Sequence, residues 1–274
     1  MVLFPNCKIN LGLNITGKRK DGYHDLETIF YPVPFTDALE IIRNDKNDNN
    51  LIFNSSGLFI DGKPADNLCA KAYHLLQKDF PQIPSVRMQL HKCIPMGAGL
   101  GGGSSNGAFT LLLLNKKFNL QLSQEQLIAY SLQLGSDCPF FILNQPCFAS
   151  GRGELMEPID LSLAGYSLLL VNPGLHISTR EAFSGIQPQK PITSIKEIIQ
   201  QPIESWRGRL KNDFEETVFA SHRILADIKK TLYEIGAAYA AMTGTGSTLF
   251  GIFSPNKKIK YNFDNQYFTK LVVL

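Results

Sequence analysis

The chain has 274 residues, of which 44% are hydrophobic and 19% charged, and its formal net charge is +3. These values are typical of a globular protein with one or two domains and ample core. The weak charge argues against a basic nucleic-acid surface, and the glycine, serine, asparagine and proline residues within 93–115 exclude a membrane span there. Five cysteines without Cys-x-x-Cys spacing favour reduced thiols over disulfides or zinc. The uncharged stretch before Lys8 is too short for a signal peptide, so we expect a cytoplasmic protein.

The first half of the chain is predicted to contain strands followed by helices. An amphipathic helix is expected over 67–79, because Leu68, Ala72 and Leu75 recur at helical spacing. A helix from about 104 to 117 follows a glycine-rich segment, and Ser123 with Gln126 forms a capping box that opens another helix. The predicted strands are 2–16, 25–35, 38–43, 51–60 and 86–94, with turns at 17–22 and 44–50.

The second half alternates between strands and helices. Strands are expected within 148–158, around the turn Gly151-Arg-Gly153, and at 166–171, where Asn-Pro-Gly ends an apolar run. Helices follow near 178–184, 194–200, 212–219 and 222–235, and strands at 237–242, 248–253 and 267–274. Strands with intermixed helices indicate an α+β fold.

The most informative segment is residues 95–107, Pro-Met-Gly-Ala-Gly-Leu-Gly-Gly-Gly-Ser-Ser-Asn-Gly, which leads directly into an apolar helix. Glycines allow an anion to approach the backbone, and a helix start presents unpaired N–H groups together with the positive end of the helix dipole. The segment therefore predicts phosphate or nucleotide binding.

A Walker loop, a dinucleotide-binding turn and a flexible linker each fit this segment less well. The Walker loop is excluded, because Gly17-Lys18 precedes Arg19 and Gly62-Lys63 precedes Pro64. The spacing Gly97-x-Gly99-x-x-Gly102 matches a dinucleotide fingerprint, but a second helix stands where that fold requires a strand. A flexible surface loop is the remaining alternative, although solvent linkers rarely run straight into an apolar helix.

The same segment closely resembles the second motif of the GHMP kinase superfamily. Cys7-Lys-Ile-Asn-Leu-Gly-Leu13 and Met242-Thr-Gly-Thr-Gly-Ser-Thr-Leu-Phe-Gly251 resemble its first and third motifs, in the same order. The resemblance implies a ribosomal-protein-S5-like N-terminal domain over 1–158 and a ferredoxin-like C-terminal domain over 159–274. It also implies ATP and Mg²⁺ as cofactors. The implied ATP-binding residues are Pro95, Met96, Gly97, Ala98, Gly99, Leu100, Gly101, Gly102, Gly103, Ser104, Ser105 and Asn106.

A narrower resemblance comes from Lys-x-Asn-Leu-x-Leu followed by Asp21-Gly-Tyr-His24. It points to the branch of the superfamily that phosphorylates a hydroxyl of a cytidine-diphosphate-linked methylerythritol, in non-mevalonate isoprenoid synthesis. Gly135-Ser-Asp-Cys-Pro-Phe140 and Asn172-Pro-Gly174 stand where that branch has equivalents. The implied partner is this small molecule, with neither nucleic acid nor membrane, and the oligomeric state is left open.

Two residues are implied to be catalytic. From the residues alone, Asp137 is more readily explained as a helix cap or turn residue, and Lys8 equally well as a lysine that snorkels or pairs. The resemblance makes Asp137 the general base towards the substrate hydroxyl and Lys8 the cation that acts with it. The magnesium ligands are not predicted.

The implied substrate-binding residues are Asn10, Tyr23, His24, Thr179 and Phe183. Asn10 has the same side-chain parity as Lys8 on a strand. The resemblance implies that Tyr23 and Phe183 clamp the cytosine and that His24 reads its edge. The alternatives are ordinary turn residues at 23–24 and a core phenylalanine at 183.

Three further points complete the expectations. Thr243–Ser247 suits either a plain hairpin turn or a wall beside the glycine loop. Lys92 is expected to be a solvated lysine at a strand end, and a position near the nucleotide is the alternative. His74, His91, His176 and His222 show no ligand spacing. The competing functions are another GHMP kinase, such as homoserine or mevalonate kinase, and a non-catalytic RNA-binding module.

Overall fold

The structure, a computed structural model, describes residues 1–44 and 51–274. Within these residues the chain forms three four-stranded sheets and eight α-helices, which confirms the predicted α+β class. The strands are β1 Val2–Leu3, β2 Asn6–Lys18, β3 His24–Thr36, β4 Ala38–Arg43, β5 Ile52–Gly57, β6 Val86–Lys92, β7 Cys147–Ser150, β8 Leu155–Pro158, β9 Ser167–Asn172, β10 Tyr239–Met242, β11 Leu249–Phe253 and β12 Phe268–Val273. The helices are α1 Leu68–Asp79, α2 Gly102–Phe118, α3 Gln124–Leu134, α4 Cys138–Leu143, α5 Thr179–Phe183, α6 Ile195–Ile199, α7 Phe214–Ser221 and α8 Arg223–Glu234.

The chain divides into two compact units, and neither is continuous in sequence. Unit 1 comprises Met1–Cys7, Phe35–Met96 and Gly101–Gln145, and unit 2 comprises Lys8–Pro34, Gly97–Leu100 and Pro146–Leu274. The domain boundary at residue 158 stays a prediction. The two compact units are each made of three separate segments, so they do not divide the chain at a single residue.

Unit 1 is built on a mixed sheet with the strand order β1-β4-β6-β5, in which only β5 and β6 run parallel. Strand β6 alternates regularly, with Val86, Met88, Leu90 and Lys92 buried and Arg87 and His91 exposed. This period of two places one face against the core. Helix α2 is buried on most sides and contacts α1, α3 and α4, so it forms the centre of the unit.

Unit 2 contains two sheets with the orders β2-β3-β7-β8 and β10-β11-β9-β12. Its core joins distant parts of the chain. Leu13 and Ile15 of β2 share one cluster with Leu169 and Val171 of β9 and with Phe253 of β11. Each side chain of this size contributes about 1.5–3 kcal/mol when fully buried.

Most predicted elements are confirmed, with shifts of a few residues at their ends. The capping box is present at α3, where Ser123 and Gln126 exchange side-chain and backbone hydrogen bonds. Two findings were not predicted: the apolar run at 140–143 belongs to the short helix α4, and 3-10 turns occur at Pro64–Asp66 and Ile203–Ser205. The turn predicted at 44–50 lies, apart from Asn44, outside the described residues. None of the helices described is long and apolar enough to cross a bilayer.

All five cysteines are free thiols, and they differ in exposure. Burial raises the pKa of Cys69 and of Cys138 to about 12 and that of Cys147 to about 11. Since the thiolate is the nucleophile, these groups are almost entirely protonated near neutral pH. Only Cys93 is partly exposed; the other four are buried.

We expect iodoacetamide to alkylate Cys93 first in the native protein at pH 8, with the four buried cysteines reacting only as the protein unfolds. Peptide mass spectrometry over a time course measures this order. The urea-unfolded chain, in which all five should react at similar rates, is the control. Alkylation of Cys69 or Cys138 as fast as Cys93 in the folded protein contradicts the described packing.

Candidate active site

The glycine-rich segment leads into α2 as the sequence predicted. Gly97, Gly99 and Gly101 all have left-handed backbone angles, with φ of 61°, 77° and 69°. Such angles cost other residues about 1–2 kcal/mol each, which explains the alternating glycines. Gly101 is the N-cap of α2 and provides no side-chain cap, and no acidic residue occurs in the first turn. The first N–H groups of a 17-residue helix are thus left without a side-chain partner, an arrangement that suits an anion.

The middle of the loop, Gly97–Leu100, belongs to unit 2 and is fixed there by three contacts. The carbonyl of Leu100 accepts a hydrogen bond from the Lys8 amide at 3.0 Å, and that of Gly99 accepts one from the Thr243 hydroxyl at 3.1 Å. The Ala98 carbonyl accepts a longer bond from the Thr248 amide, at 3.3 Å. The turn at 243–247 joins β10 to β11 and also contacts the loop, so both interpretations of this turn apply.

The start of the loop and the start of α2 belong to unit 1, where a buried carboxylate holds them. Oδ1 of Asp37 accepts from the amides of Cys93 and Ile94 at 2.7 and 2.9 Å. Its Oδ2 accepts from Nδ2 of Asn106 at 2.8 Å and from the ammonium of Lys92. The side chains of Asp37 and Lys92 are completely buried.

This cluster corrects one prediction and adds one residue. The expectation that Lys92 is solvated is wrong, because it shares its strand parity with Val86, Met88 and Leu90 and therefore points into the core. Asp37 was missed by the sequence analysis. The available signal was an acid just after the largely apolar run at 29–35, which needs partners if it is buried.

Asp137 is the N-cap residue of α4, as its position suggested, but its carboxylate makes no capping hydrogen bond. The side chain is half-buried. Ser104, in the first turn of α2, lies close enough to Cys138 to lower the pKa of that thiol, although burial has the larger and opposite effect. The catalytic candidate thus stands one residue from a contact with the helix that follows the glycine loop.

Lys8 and Asn10 lie on the same side of β2, as predicted, and contact each other. Both side chains are buried, and Nζ of Lys8 donates to Oδ1 of Asn10 at 2.7 Å. The Lys8 ammonium also lies 4.6 Å from the ring centre of Phe30. Asn10 donates from Nδ2 to Thr28 at 2.9 Å and from its backbone amide to Thr243 at 3.1 Å. The sequence analysis did not identify Thr28 as a partner.

The aromatic candidates form two separate contacts in unit 2. The rings of His24 and Phe183 are stacked, with centroids 4.7 Å apart and 24° between their planes. Tyr23 is 56% exposed, and the Arg152 guanidinium lies 5.0 Å from its ring centre. Thr179 is the first residue of α5, which also carries Phe183. Of the five substrate-binding candidates, Tyr23 and Thr179 are exposed and His24 and Phe183 are stacked on each other. The fifth, Asn10, lies in the buried network with Lys8.

Magnesium has no ready-made protein cage in the described ranges. No group of three or more His, Cys, Asp or Glu residues suited to a metal ion occurs in residues 1–44 and 51–274. Magnesium in phosphoryl-transfer sites is commonly held by one or two side chains, waters and the nucleotide phosphates. Magnesium bound in that way requires no cluster of three protein ligands, so the described residues are compatible with it.

Comparisons with known proteins agree on one family. The model of the GHMP kinases N terminal domain matches residues 67–151, and that of the GHMP kinases C terminal domain matches residues 194–268. The 4-diphosphocytidyl-2-C-methyl-D-erythritol kinase of Bacteroides fragilis (strain YCH46) is 54% identical over 96% of this chain and 96% of its own. The protein of that name from Bacteroides thetaiotaomicron is 52% identical over 93% of each. A crystal structure of 4-(cytidine 5'-diphospho)-2C-methyl-D-erythritol kinase matches with a TM-score of 0.79, at 30% identity, over 92% of this chain and 90% of that one.

We expect the substitution Gly99→Ala to destabilise the protein strongly. A Cβ at this position would lie 2.1 Å from the Thr243 carbonyl oxygen, which is backbone and cannot move aside easily. The loss in free energy of unfolding should exceed the roughly 1–2 kcal/mol that a left-handed alanine costs by itself. Urea unfolding measures it.

Gly22→Ala is the matched control, because Gly22 has a φ of 86° and no atom within 4 Å of the added methyl group. It should show the backbone cost alone. Equal losses in the two variants would mean that the loop is not packed against Thr243.

Proposed function

This chain belongs to the GHMP kinase family, and from that premise we propose that it phosphorylates the 2-hydroxyl of 4-diphosphocytidyl-2-C-methyl-D-erythritol with ATP. It is a kinase of non-mevalonate isoprenoid synthesis. The observation that carries the choice of substrate is the 54% identity, over 96% of both chains, to a relative named for that substrate. We also propose the cytoplasm as its compartment, where a reducing environment preserves five free thiols.

The glycine segment is the proposed site for the ATP phosphates. Gly97 is exposed and Gly99 and Gly101 are partly exposed, and the uncapped start of α2 offers N–H groups and the positive end of its dipole. The hydroxyl of Ser105 supports this assignment, since it is buried without a hydrogen-bond partner in the described structure. The proposed contacts extend from Pro95 to Asn106. Magnesium, when bound, would neutralise charge on these phosphates.

The proposed chemistry is direct in-line transfer. The substrate hydroxyl oxygen attacks the γ-phosphorus as the bond to the β-phosphate oxygen breaks, and ADP leaves. Asp137 would accept the hydroxyl proton, the role that the family resemblance implies for this half-buried carboxylate at the start of α4. Lys8 would contribute a buried positive charge, held in one orientation by Asn10 and Phe30.

The cytidine half of the substrate is assigned to Tyr23, His24 and Phe183, with Thr179 and Asn10 as further contacts. An exposed tyrosine can cover a base, and Arg152 behind its ring favours a fixed orientation. Phe183 also makes a T-shaped contact with Phe214, with ring centroids 4.8 Å apart. His24 stacks on Phe183 in the described structure, so recognition of a base by both residues involves a change at this stack.

The test of the proposed function is a substrate panel. The protein is incubated with ATP and Mg²⁺ and with the cytidyl substrate, homoserine, mevalonate or galactose, and ADP release is followed. We expect turnover with the cytidyl substrate alone. Turnover with homoserine or mevalonate instead would overturn the choice within the family.

We predict that Asp137→Asn lowers kcat about 10²–10⁴-fold, because general-base catalysis contributes about that much. The Kd for ADP should change little. Asp160→Asn is the control, since Asp160 is an exposed acid outside the proposed site. Turnover of Asp137→Asn within a few-fold of wild type, with chemistry rate-limiting, would falsify the assignment.

Lys8→Ala is predicted to lower kcat as well. If Lys8 and Asp137 act as one unit, the double variant should lose much less than the product of the two single losses. Pre-steady-state measurement of the transfer step is the appropriate readout. Strictly multiplicative losses would count against joint action.

We predict that Tyr23→Ala raises the Kd for the cytidyl substrate tenfold or more, because stacking on a base is worth about 1–3 kcal/mol. The Kd for ADP should stay the same, as should both constants in the control Tyr261→Ala, another exposed tyrosine. Isothermal titration calorimetry measures each constant. Unchanged affinity of Tyr23→Ala for the cytidyl substrate would return Tyr23 to the role of a turn residue.

A further inference from the structure

We propose that Asp37 is a positioning residue for the phosphate-binding loop, which it preorganises by holding the segment before the loop and the helix after it. Asp37 lies between β3 and β4, and none of the three family-like motifs includes it or is adjacent to it in sequence. The inference rests on the proposed function, because it assumes that the glycine segment binds the phosphates of ATP.

The contacts of Asp37 connect three separate places in unit 1. Oδ1 accepts from two successive amides, Cys93 and Ile94, just before the loop. Oδ2 accepts from Asn106 in α2, and the Lys92 ammonium at the end of β6 completes the set. An ionised carboxylate has about four acceptor sites, and four donors occupy them. Asp37 is therefore saturated before any nucleotide arrives.

Because its acceptor sites are occupied, the Asp37 carboxylate can position the loop but does not bind the nucleotide directly. The carboxylate is buried and fully hydrogen-bonded, and its negative charge would repel a phosphate. Asp37 can influence ATP only through the groups that it holds. Those groups include the backbone that enters the loop and a residue in the second turn of α2, the helix whose N-terminus is proposed to face the phosphates.

Lys92 gives the arrangement a second function at the helix start. A Cβ on Gly102, the first residue of α2, would lie 2.9 Å from Nζ of Lys92 and 2.9 Å from Cγ2 of Ile94. The ammonium thus packs directly beneath the first turn, close to the positive end of the helix dipole. This position is unfavourable for a cation unless a negative charge compensates it, and Asp37 supplies that charge. The pair lets α2 start at this point.

Two double variants distinguish positioning from simple stability. Asp37→Asn/Lys92→Met and Asp37→Ala/Lys92→Met both remove the buried charges, so neither leaves an unpaired ion. They differ in one respect: asparagine keeps an oxygen that accepts from Cys93 and Ile94, and Asn106 can turn its amide to match it. Alanine offers no acceptor.

We expect the Asp37→Asn/Lys92→Met variant to bind ADP within about threefold of wild type, and the Asp37→Ala/Lys92→Met variant to bind it at least tenfold more weakly. The Kd for the cytidyl substrate should stay constant in both, which a general loss of structure would not allow. Calorimetric titration of each ligand measures these constants. Equal ADP affinity in the two folded variants overturns the inference.

Hydrogen exchange in the unaltered protein provides a measurement that does not depend on the variants folding. The amides of Cys93 and Ile94 should be protected without nucleotide, to the same degree as those of β6. Exchange at the rate expected for an unstructured peptide overturns the preorganised loop. If the wild-type protein binds no ADP, the proposed function and this inference are overturned together. If the protein phosphorylates the cytidyl substrate, but the two double variants bind ADP equally well or the amides of Cys93 and Ile94 exchange fast, the inference alone is overturned.

Discussion

Burial of the Asp37 carboxylate is the constraint on which the end of unit 1 that carries the entry to the glycine loop and the start of α2 depends. An ionised group removed from water costs several kcal/mol unless partners replace its hydration, and removing one partner of such a pair commonly costs about 3–5 kcal/mol. Here the replacement comes from an ammonium, two backbone amides and one side-chain amide. Since each donor comes from a different residue, the geometry of one carboxylate fixes the end of β6, the entry to the loop and the rotation of α2 about its own axis.

Unit 2 solves a similar problem with a buried hydrogen-bond network that is centred on the neutral side chain of Asn10 and includes the Lys8 ammonium. Asn10 connects Lys8, Thr28 and Thr243, and the Thr243 hydroxyl in turn donates to the Gly99 carbonyl. A glycine-rich segment loses more conformational entropy on ordering than any other, so its geometry has to be imposed by its surroundings. Buried polar networks that are fully satisfied impose such geometry because few alternative arrangements satisfy them equally well.

Features that depend on residues close together in sequence were predicted, whereas features that depend on residues far apart in sequence were missed. Strand β9, the capping box of α3 and the helix after the glycines depend on neighbours within a few residues, and all were predicted. Asp37 was missed because its partners lie 55 to 69 residues away, and no local pattern records them. Lys92 was misjudged although the parity of β6 contained the answer. The stack of His24 on Phe183 joins residues 159 positions apart (183 − 24) and was not predicted, because the family resemblance implied Tyr23 and Phe183 as the clamp and His24 as the residue at the edge of the base.

The shared core of unit 2 has a consequence for the synthesis of the chain. Strand β2 leaves the ribosome early, yet Leu13 and Ile15 pack with residues from Leu169 onward. At the usual elongation rate of about 5–20 residues per second, these side chains wait on the order of ten seconds or longer for their native partners. During that interval the nascent protein carries an unsatisfied apolar strand of the kind that chaperones bind. Folding of unit 2 is therefore coupled to completion of translation, and a chain released early would expose the same strand permanently.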